Sequence, residues 1–226
     1  MKYAISANQV KNSEGSVRGF ASIVFGDSFK ITNIAILENA EKGSLFVSMP
    51  RYKSNERDEY NAVVYKDVCN PITKEFREEL YGQILEAYDR AKDHVKETKS
   101  DEVVEMPEFS VSVTPFEREG SNIRGLARIF FEDSFIVNNV TILQGKDNLF
   151  VAMPSYKTKQ VDEQGKPVYQ DVCYPVTKEF REKLYAEILA TYEREKEKQQ
   201  EQSQSKAEEK AKDDFVKVTD KELPFR

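Results

Sequence analysis

The chain predicts an α+β fold built as two tandem units, and three observations lead there. The segment RGFASIVFGDSF at 18–29 returns as RGLARIFFEDSF at 124–135. The segment KDVCNPITKEFREELYGQILEAY at 66–88 returns as QDVCYPVTKEFREKLYAEILATY at 170–192. Within each copy, β-branched and aromatic runs with period-two alternation give way to an apolar repeat every four residues. The offset between copies is 106 before the loop that follows the third strand and 104 after it, so copy two is two residues shorter there. A repeat of about 90 residues exceeds any solenoid unit, and a unit of that size is marginal alone. The two copies are therefore expected to pair as a pseudo-twofold dimer within one chain.

Each unit is expected to hold an antiparallel sheet of about five strands and one C-terminal amphipathic helix. Tyr3, Ile5 and Ala7 alternate with Ala4 and Ser6 as the first strand, and NSEG at 12–15 supplies a turn. Val17 to Phe25 is the second strand, Gly26-Asp27 a tight hairpin signal, and Phe29 to Leu37 the third strand. Leu45 to Met49, closed by Pro50, is the fourth; a charged excursion from Arg51 to Glu59 leads into a fifth, Tyr60 to Val68. Copy two repeats the order at 109–113, 123–131, 135–143, 149–153 and 168–172. Phe76, Leu80, Ile84 and Tyr88 then line one face of a helix with Tyr81 and Leu85, matched by Phe180, Leu184, Tyr185, Ile188, Leu189 and Tyr192. Thr73 and Thr177 are placed to cap these helices, with Glu75 and Glu179 in the first turn, where the helix dipole favours them.

The units are read as residues 1–92 and 108–194, joined by a charged linker at 93–107. From 195 to 226 runs a charged tail with strong helix formers but no apolar stripe, expected to pass from helix into disorder. Its last segment, FVKVTDKELPFR, reads as an untethered end rather than a docking motif. With 34 basic and 40 acidic residues the net charge is −6, so no global positive field draws nucleic acid or anionic membrane, although a local basic patch still could. No apolar run approaches a membrane span or a signal peptide, which points to a cytoplasmic protein. Cys69 and Cys173 take equivalent places in the copies, the pattern of a repeated buried small residue and not of a disulfide or metal framework.

Several motifs together resemble the SpoVG family of small bacterial septation and sporulation regulators. They are the strand with Arg18, Gly19 and Ala21 and its counterpart with Arg124, Gly125 and Ala127, the run FIVNNVTIL at 135–143, and LFVAMPS at 149–155. To these add D-V-x-x-P-[IV] at 67–72 and 171–176, and the helix end ILATY at 188–192. The resemblance covers about 180 of the 226 residues and fails only in the linker and tail. It implies a small sheet with a C-terminal helix, association as a dimer, and a regulator that binds DNA or RNA. Known members carry one copy, so two copies in one chain supply both halves of the dimer. Where the family has a histidine after its D-I-A motif, this chain has Asn70 and Tyr174. The family's basic helix start falls on Phe180-Arg181-Glu182-Lys183 in copy two and on Phe76-Arg77-Glu78-Glu79 in copy one, where one basic position has inverted charge.

Basic residues gather in two stretches of each copy. Arg51, Lys53 and Arg57, with Lys157 and Lys159, follow the MP dipeptide; Lys74 and Arg77, with Lys178, Arg181 and Lys183, open the helix. A patch of this kind neutralises phosphates, and Tyr52, Tyr156 and Tyr65 lie close by as stacking surfaces for bases. The plainer reading is a solvated surface, since Glu56, Asp58, Glu59, Glu75 and Glu78 are interleaved. The expected partner is DNA or RNA, bound weakly and with salt dependence, and copy two keeps the basic pattern better. The competing expectation is a protein-interaction module without nucleic-acid binding. A phosphate at the helix N-termini is disfavoured by the glutamates already there.

Enzymatic chemistry has little to stand on. His94, the single histidine, falls in the linker, and nothing brings Cys69 or Cys173 to it. Asp67 and Asp171 read as turn or cap partners, and neither a glycine-rich phosphate loop nor a metal spacing is present. No cofactor or small-molecule substrate is expected. Gly19 and Gly125, inside strands, mark a bulge or the close passage of another backbone, as a dimer contact would need.

Overall fold

A computed structural model describes residues 2–10, 15–92, 105–117 and 119–219. The first four strands of copy one are β1 (Tyr3–Gln9), β2 (Val17–Phe25), β3 (Phe29–Glu38) and β4 (Leu45–Ser48). They form an antiparallel sheet in that order. The turn after β2 has positive φ at both Gly26 and Asp27, and Ser28 N donates to Phe25 O at 2.9 Å. Glu132 and Asp133 take the same conformation in copy two, so the backbone alone does not demand the glycine. Gly26 is required by space: a Cβ there would lie 2.5 Å from the Glu105 carbonyl and 2.6 Å from Pro107, where the incoming chain crosses the turn.

Within β3 the alternation breaks at Asn33, whose φ is 58°, and the register with β2 shifts there. This bulge turns both Ile31 and Ile34 into the core, although they are three residues apart. Asn139 does the same for Val137 and Val140 in copy two. Asparagine suits the position because it tolerates the left-handed region that β-branched residues avoid.

The charged excursion is a strand. β5 (Arg51–Arg57) pairs with β6 (Val63–Asp67) as a separate two-stranded hairpin. Asp58 closes it by accepting at Oδ1 from Tyr60 N at 2.9 Å and Ala62 N at 2.8 Å, with Asn61 left-handed. The expected fifth strand, Tyr60 to Val68, is therefore corrected in two ways. Its outer part belongs to this hairpin, and the chain then breaks at Val68 into β7 (Cys69–Pro71). Periodicity hid β5 because only Ser54 in it is buried, so neither face carries an apolar alternation.

Copy two repeats the plan as β8 (Phe109–Pro115), β9 (Ile123–Phe131), β10 (Phe135–Gln144), β11 (Leu149–Ala152), β12 (Ser155–Val161), β13 (Pro167–Asp171) and β14 (Cys173–Pro175). Each main sheet has five strands, but the fifth comes from the other copy. β7 pairs with β10 through Cys69↔Val137 and Pro71↔Phe135, and β14 pairs with β3 through Cys173↔Ile31 and Pro175↔Phe29. On one edge of β3, β14 covers Phe29–Ile31 and β4 covers Ala35–Glu38, with Thr32 N bonded to Val172 O at 2.8 Å between them. The exchange is reciprocal, as an isologous pairing requires. One core runs through both copies: Phe25 lies 5.6 Å from Phe131 and 5.1 Å from Phe135, and Phe29 lies 4.9 Å from Phe131.

Helices α1 (Lys74–Lys92) and α2 (Lys178–Thr219) each cover the inner face of their own sheet. Thr73 and Thr177 cap them, each Oγ1 accepting from the backbone N–H three residues on, at 3.3 Å. Helix α2 continues past Tyr192 without a break as far as Thr219. The close neighbours of Gly19 lie in its own copy, which corrects the dimer-contact expectation. A Cβ there would meet the Asn8 carbonyl at 2.5 Å and the Tyr88 ring at 2.7 Å, and the β2–β3 register also shifts beside it. Of the turn at 12–15 only Gly15 is described; His94, most of the linker and residues 220–226 fall outside the described residues.

Candidate nucleic-acid interface

The two hairpins carry one half of the expected basic residues. Across β5–β6, Arg51 faces Asp67, Tyr52 faces Lys66 and Lys53 faces Tyr65. Side chains alternate between faces, so Arg51, Lys53, Tyr65 and Asp67 share one face, with Tyr52 and Lys66 on the other. On that second face Lys66 is neutralised by an ion pair with Glu56. Lys53 has no acidic partner among the described residues, nor have Lys157 and Lys159 on β12. In copy two Ser155 faces Asp171, Tyr156 faces Gln170 and donates to it at 2.8 Å, and Lys157 faces Tyr169. Tyr65 and Tyr169 are 59% and 63% exposed, more than a half-buried sheet residue would be. Tyr169 was missed in the sequence, although the 104-residue offset from Tyr65 points directly to it.

The helix starts carry the other half, and most of it is engaged. Lys74 pairs with Glu78 at 3.8 Å and Lys178 with Glu182 at 3.7 Å. Arg77 donates from Nη2 to the Pro71 carbonyl at 3.2 Å, and Arg181 does the same to Pro175 at 3.4 Å. These carbonyls end the exchanged strands β7 and β14, so the two arginines tie each helix start to the strand given to the other copy.

In copy one the two basic stretches meet. Arg51 and Arg77 both act on Asp67, whose carboxyl is pushed up by partial burial and pulled back down by the two guanidinium charges. Arg51 also donates to Ser48 Oγ at 2.7 Å. In copy two serine replaces the first arginine, and burial pushes Asp171 up. Burial likewise raises the Tyr81 and Tyr185 phenols beneath these groups. Cys69 and Cys173 are fully buried thiols whose pKa burial raises well above the ordinary range, so they are held protonated. Among the described residues no group of His, Cys, Asp and Glu could hold a metal ion.

Lys183 points elsewhere. Its ammonium sits 5.7 Å from the centre of the Phe109 ring, on the sheet of its own copy. In copy one the equivalent pair is Glu79 and Tyr3, where the hydroxyl donates to Oε1 at 2.7 Å. The charge inversion between copies is thus matched by a change of ring across the same helix–sheet seam.

These features define a tandem of two sheet-and-helix units that trade a strand and share a core. The SpoVG family model matches the chain twice, over residues 2–90 and 106–194. The chain belongs to the SpoVG family and carries its domain in two copies. Among similar proteins, one that bears the name septation protein SpoVG from Treponema denticola is 33% identical over 75 residues, 33% of this chain and 74% of that protein. A namesake from Phytoplasma australiense is 38% identical over 73 residues, 32% of this chain and 70% of its own. Another from Thermoanaerobacter is 30% identical over 86 residues, 38% and 86% respectively. Each of these matches is about as long as one copy. Among the described residues no helix is long and apolar enough to cross a membrane.

Proposed function

We propose that this protein is a non-enzymatic cytoplasmic regulator of the SpoVG type that binds DNA or RNA weakly through its basic residues. Its two units, 1–92 and 108–194, act as one pseudo-dimer, and the full chain is a monomer in solution. The observation that carries the reading is the set of hairpin cations with no acidic partner among the described residues: Lys53 in copy one, Lys157 and Lys159 in copy two. Contacts of this kind bind phosphate with little sequence preference and lose strength steeply with salt. The helix-start residues Arg77, Arg181, Lys74 and Lys178 contribute less, because each already has a partner in the chain. The relatives' names place them in septation, and the same cellular role is proposed here.

The test is a gel-shift series across salt with Lys157→Glu/Lys159→Glu beside the unaltered chain. Retention of a labelled probe at low salt should fall in the variant; equal retention would remove this site. A second reading, a protein-interaction module, is favoured by one observation. Phe20, Phe46, Leu126 and Phe150 are exposed on the sheet faces turned away from the helices. If the unaltered chain shifts no probe at about 20 mM salt, where screening is weak, that reading replaces the first.

A further inference from the structure

We infer that the hairpin face holding Lys53 and Tyr65, repeated as Lys157 and Tyr169, is a stacking site for single-stranded nucleic acid and not for duplex. The inference rests on the nucleic-acid reading above and narrows it to one class of strand and one face.

Three observations lead to it. Lys53 and Tyr65 are directly opposed across an antiparallel ladder, which sets their Cβ atoms about 5 Å apart on one face. Lys157 and Tyr169 are opposed in the same register in copy two. Among the tyrosines on the paired strands these two rings are the more open: Tyr65 is 59% and Tyr169 63% exposed, against 36% for Tyr52 and Tyr156, while the still more exposed Tyr60 lies in the turn, off the ladder. The opposite faces are self-satisfied, with Lys66 on Glu56 in one copy and Tyr156 on Gln170 in the other. The face with the open ring is therefore also the face whose ammonium has no acidic partner among the described residues, in both copies.

That combination selects the strand. A ring lying free beside a cation can stack on an unpaired base while the ammonium meets its phosphate, the arrangement that single-strand sites share. In a duplex the bases are already stacked and paired, so an exposed tyrosine gains nothing there. The helix starts do not offer a comparable duplex-binding row, because Lys74 and Lys178 are paired with glutamates and Arg77 and Arg181 hold backbone carbonyls. Stacking is sequence-tolerant, so the site takes single strands of DNA and RNA alike.

The experiment uses the full chain and fluorescence anisotropy at low salt. The probes are a labelled oligothymidylate, an oligouridylate of equal length and a DNA duplex of mixed sequence. Tyr65→Ala/Tyr169→Ala should weaken both single strands by at least about fivefold and leave any duplex binding unchanged. Tyr65→Phe/Tyr169→Phe, which keeps the ring, should bind as the unaltered protein does. Circular dichroism shows that each variant is folded. If the unaltered chain binds duplex as tightly as single strands, or the alanine variant keeps its affinity, nucleic-acid binding stands and the stacking site falls. If it binds no probe, both fall together.

Discussion

Lys183 and Phe109 face each other across the seam between helix and first strand, with 5.7 Å from ammonium to ring centre. The same two places in copy one hold Glu79 and Tyr3, joined by a hydrogen bond from phenol to carboxylate. A cation is held by the face of an aromatic ring with or without a hydroxyl, whereas a carboxylate needs the hydroxyl as a donor. The copies have thus diverged in charge here as a matched pair.

This predicts coupling. Lys183→Glu alone should lower stability by about 0.5–1 kcal/mol, since a carboxylate gains nothing from the Phe109 ring. Adding Phe109→Tyr supplies the missing donor and should restore most of the loss. Urea denaturation of the two single variants and the double variant measures the coupling. Strictly additive changes would show that the two places act independently.

The strand glycines should differ in sensitivity. A Cβ on Gly19 meets a backbone carbonyl at 2.5 Å and the Tyr88 ring at 2.7 Å, whereas on Gly125 the nearest atom, in the Tyr192 ring, is 3.2 Å away. Gly19→Ala is expected to cost about 2–3 kcal/mol, in the range of an overpacked core, and Gly125→Ala clearly less. Denaturation midpoints of the two variants rank them, and an equal loss would contradict this account of the seam.

Alkaline pH should weaken the fold from about pH 8.5, where thiols of the unfolded chain begin to ionise. Burial raises the Cys69 and Cys173 pKa values in the folded chain. A group raised on folding contributes its full stability below the unfolded value and loses it as pH rises. Replacing both with alanine should therefore flatten the decline until about pH 10, where the phenols raised by burial, Tyr3, Tyr81 and Tyr185, take over. Midpoints measured at about pH 7.5, 9 and 10 in both proteins test the slope, whatever the variant does to absolute stability.

Strand exchange predicts the behaviour of half the chain. On its own, residues 105–203 would leave the β10 edge without β7, and β14 without β3. The fragment should therefore form a homodimer in which each β14 takes the place of β7, while the full chain stays monomeric. Light scattering after size exclusion distinguishes these states. A stable monomeric half, or a full chain that dimerises, would overturn intrachain pairing as the working state.

Much of this was legible in the residues. The apolar period from Phe76 to Tyr88 reports a helix because one face of it is buried, and Thr73 and Thr177 announce where the helices begin. The repeat identifies two like units and, through LFVAMPS and D-V-x-x-P, their family. β5 was not legible, because a strand exposed on both faces leaves no alternation to read. Nor was the bulge at Asn33, which lets two residues three apart point the same way. Of the candidate site, the basic residues could be named from the chain, but not which were already occupied.

Local sequence thus determined the helices and the strands with a buried face, since periodicity and capping act between neighbours a few residues apart. Only the tertiary structure decided that Cys69–Pro71 completes the second sheet and Cys173–Pro175 the first. The physical reason is that a three-residue strand carries too little pattern of its own. Its place is set by which edge has unpaired backbone groups to satisfy, and the edges of β3 and β10 become neighbours of these strands only once the two copies meet.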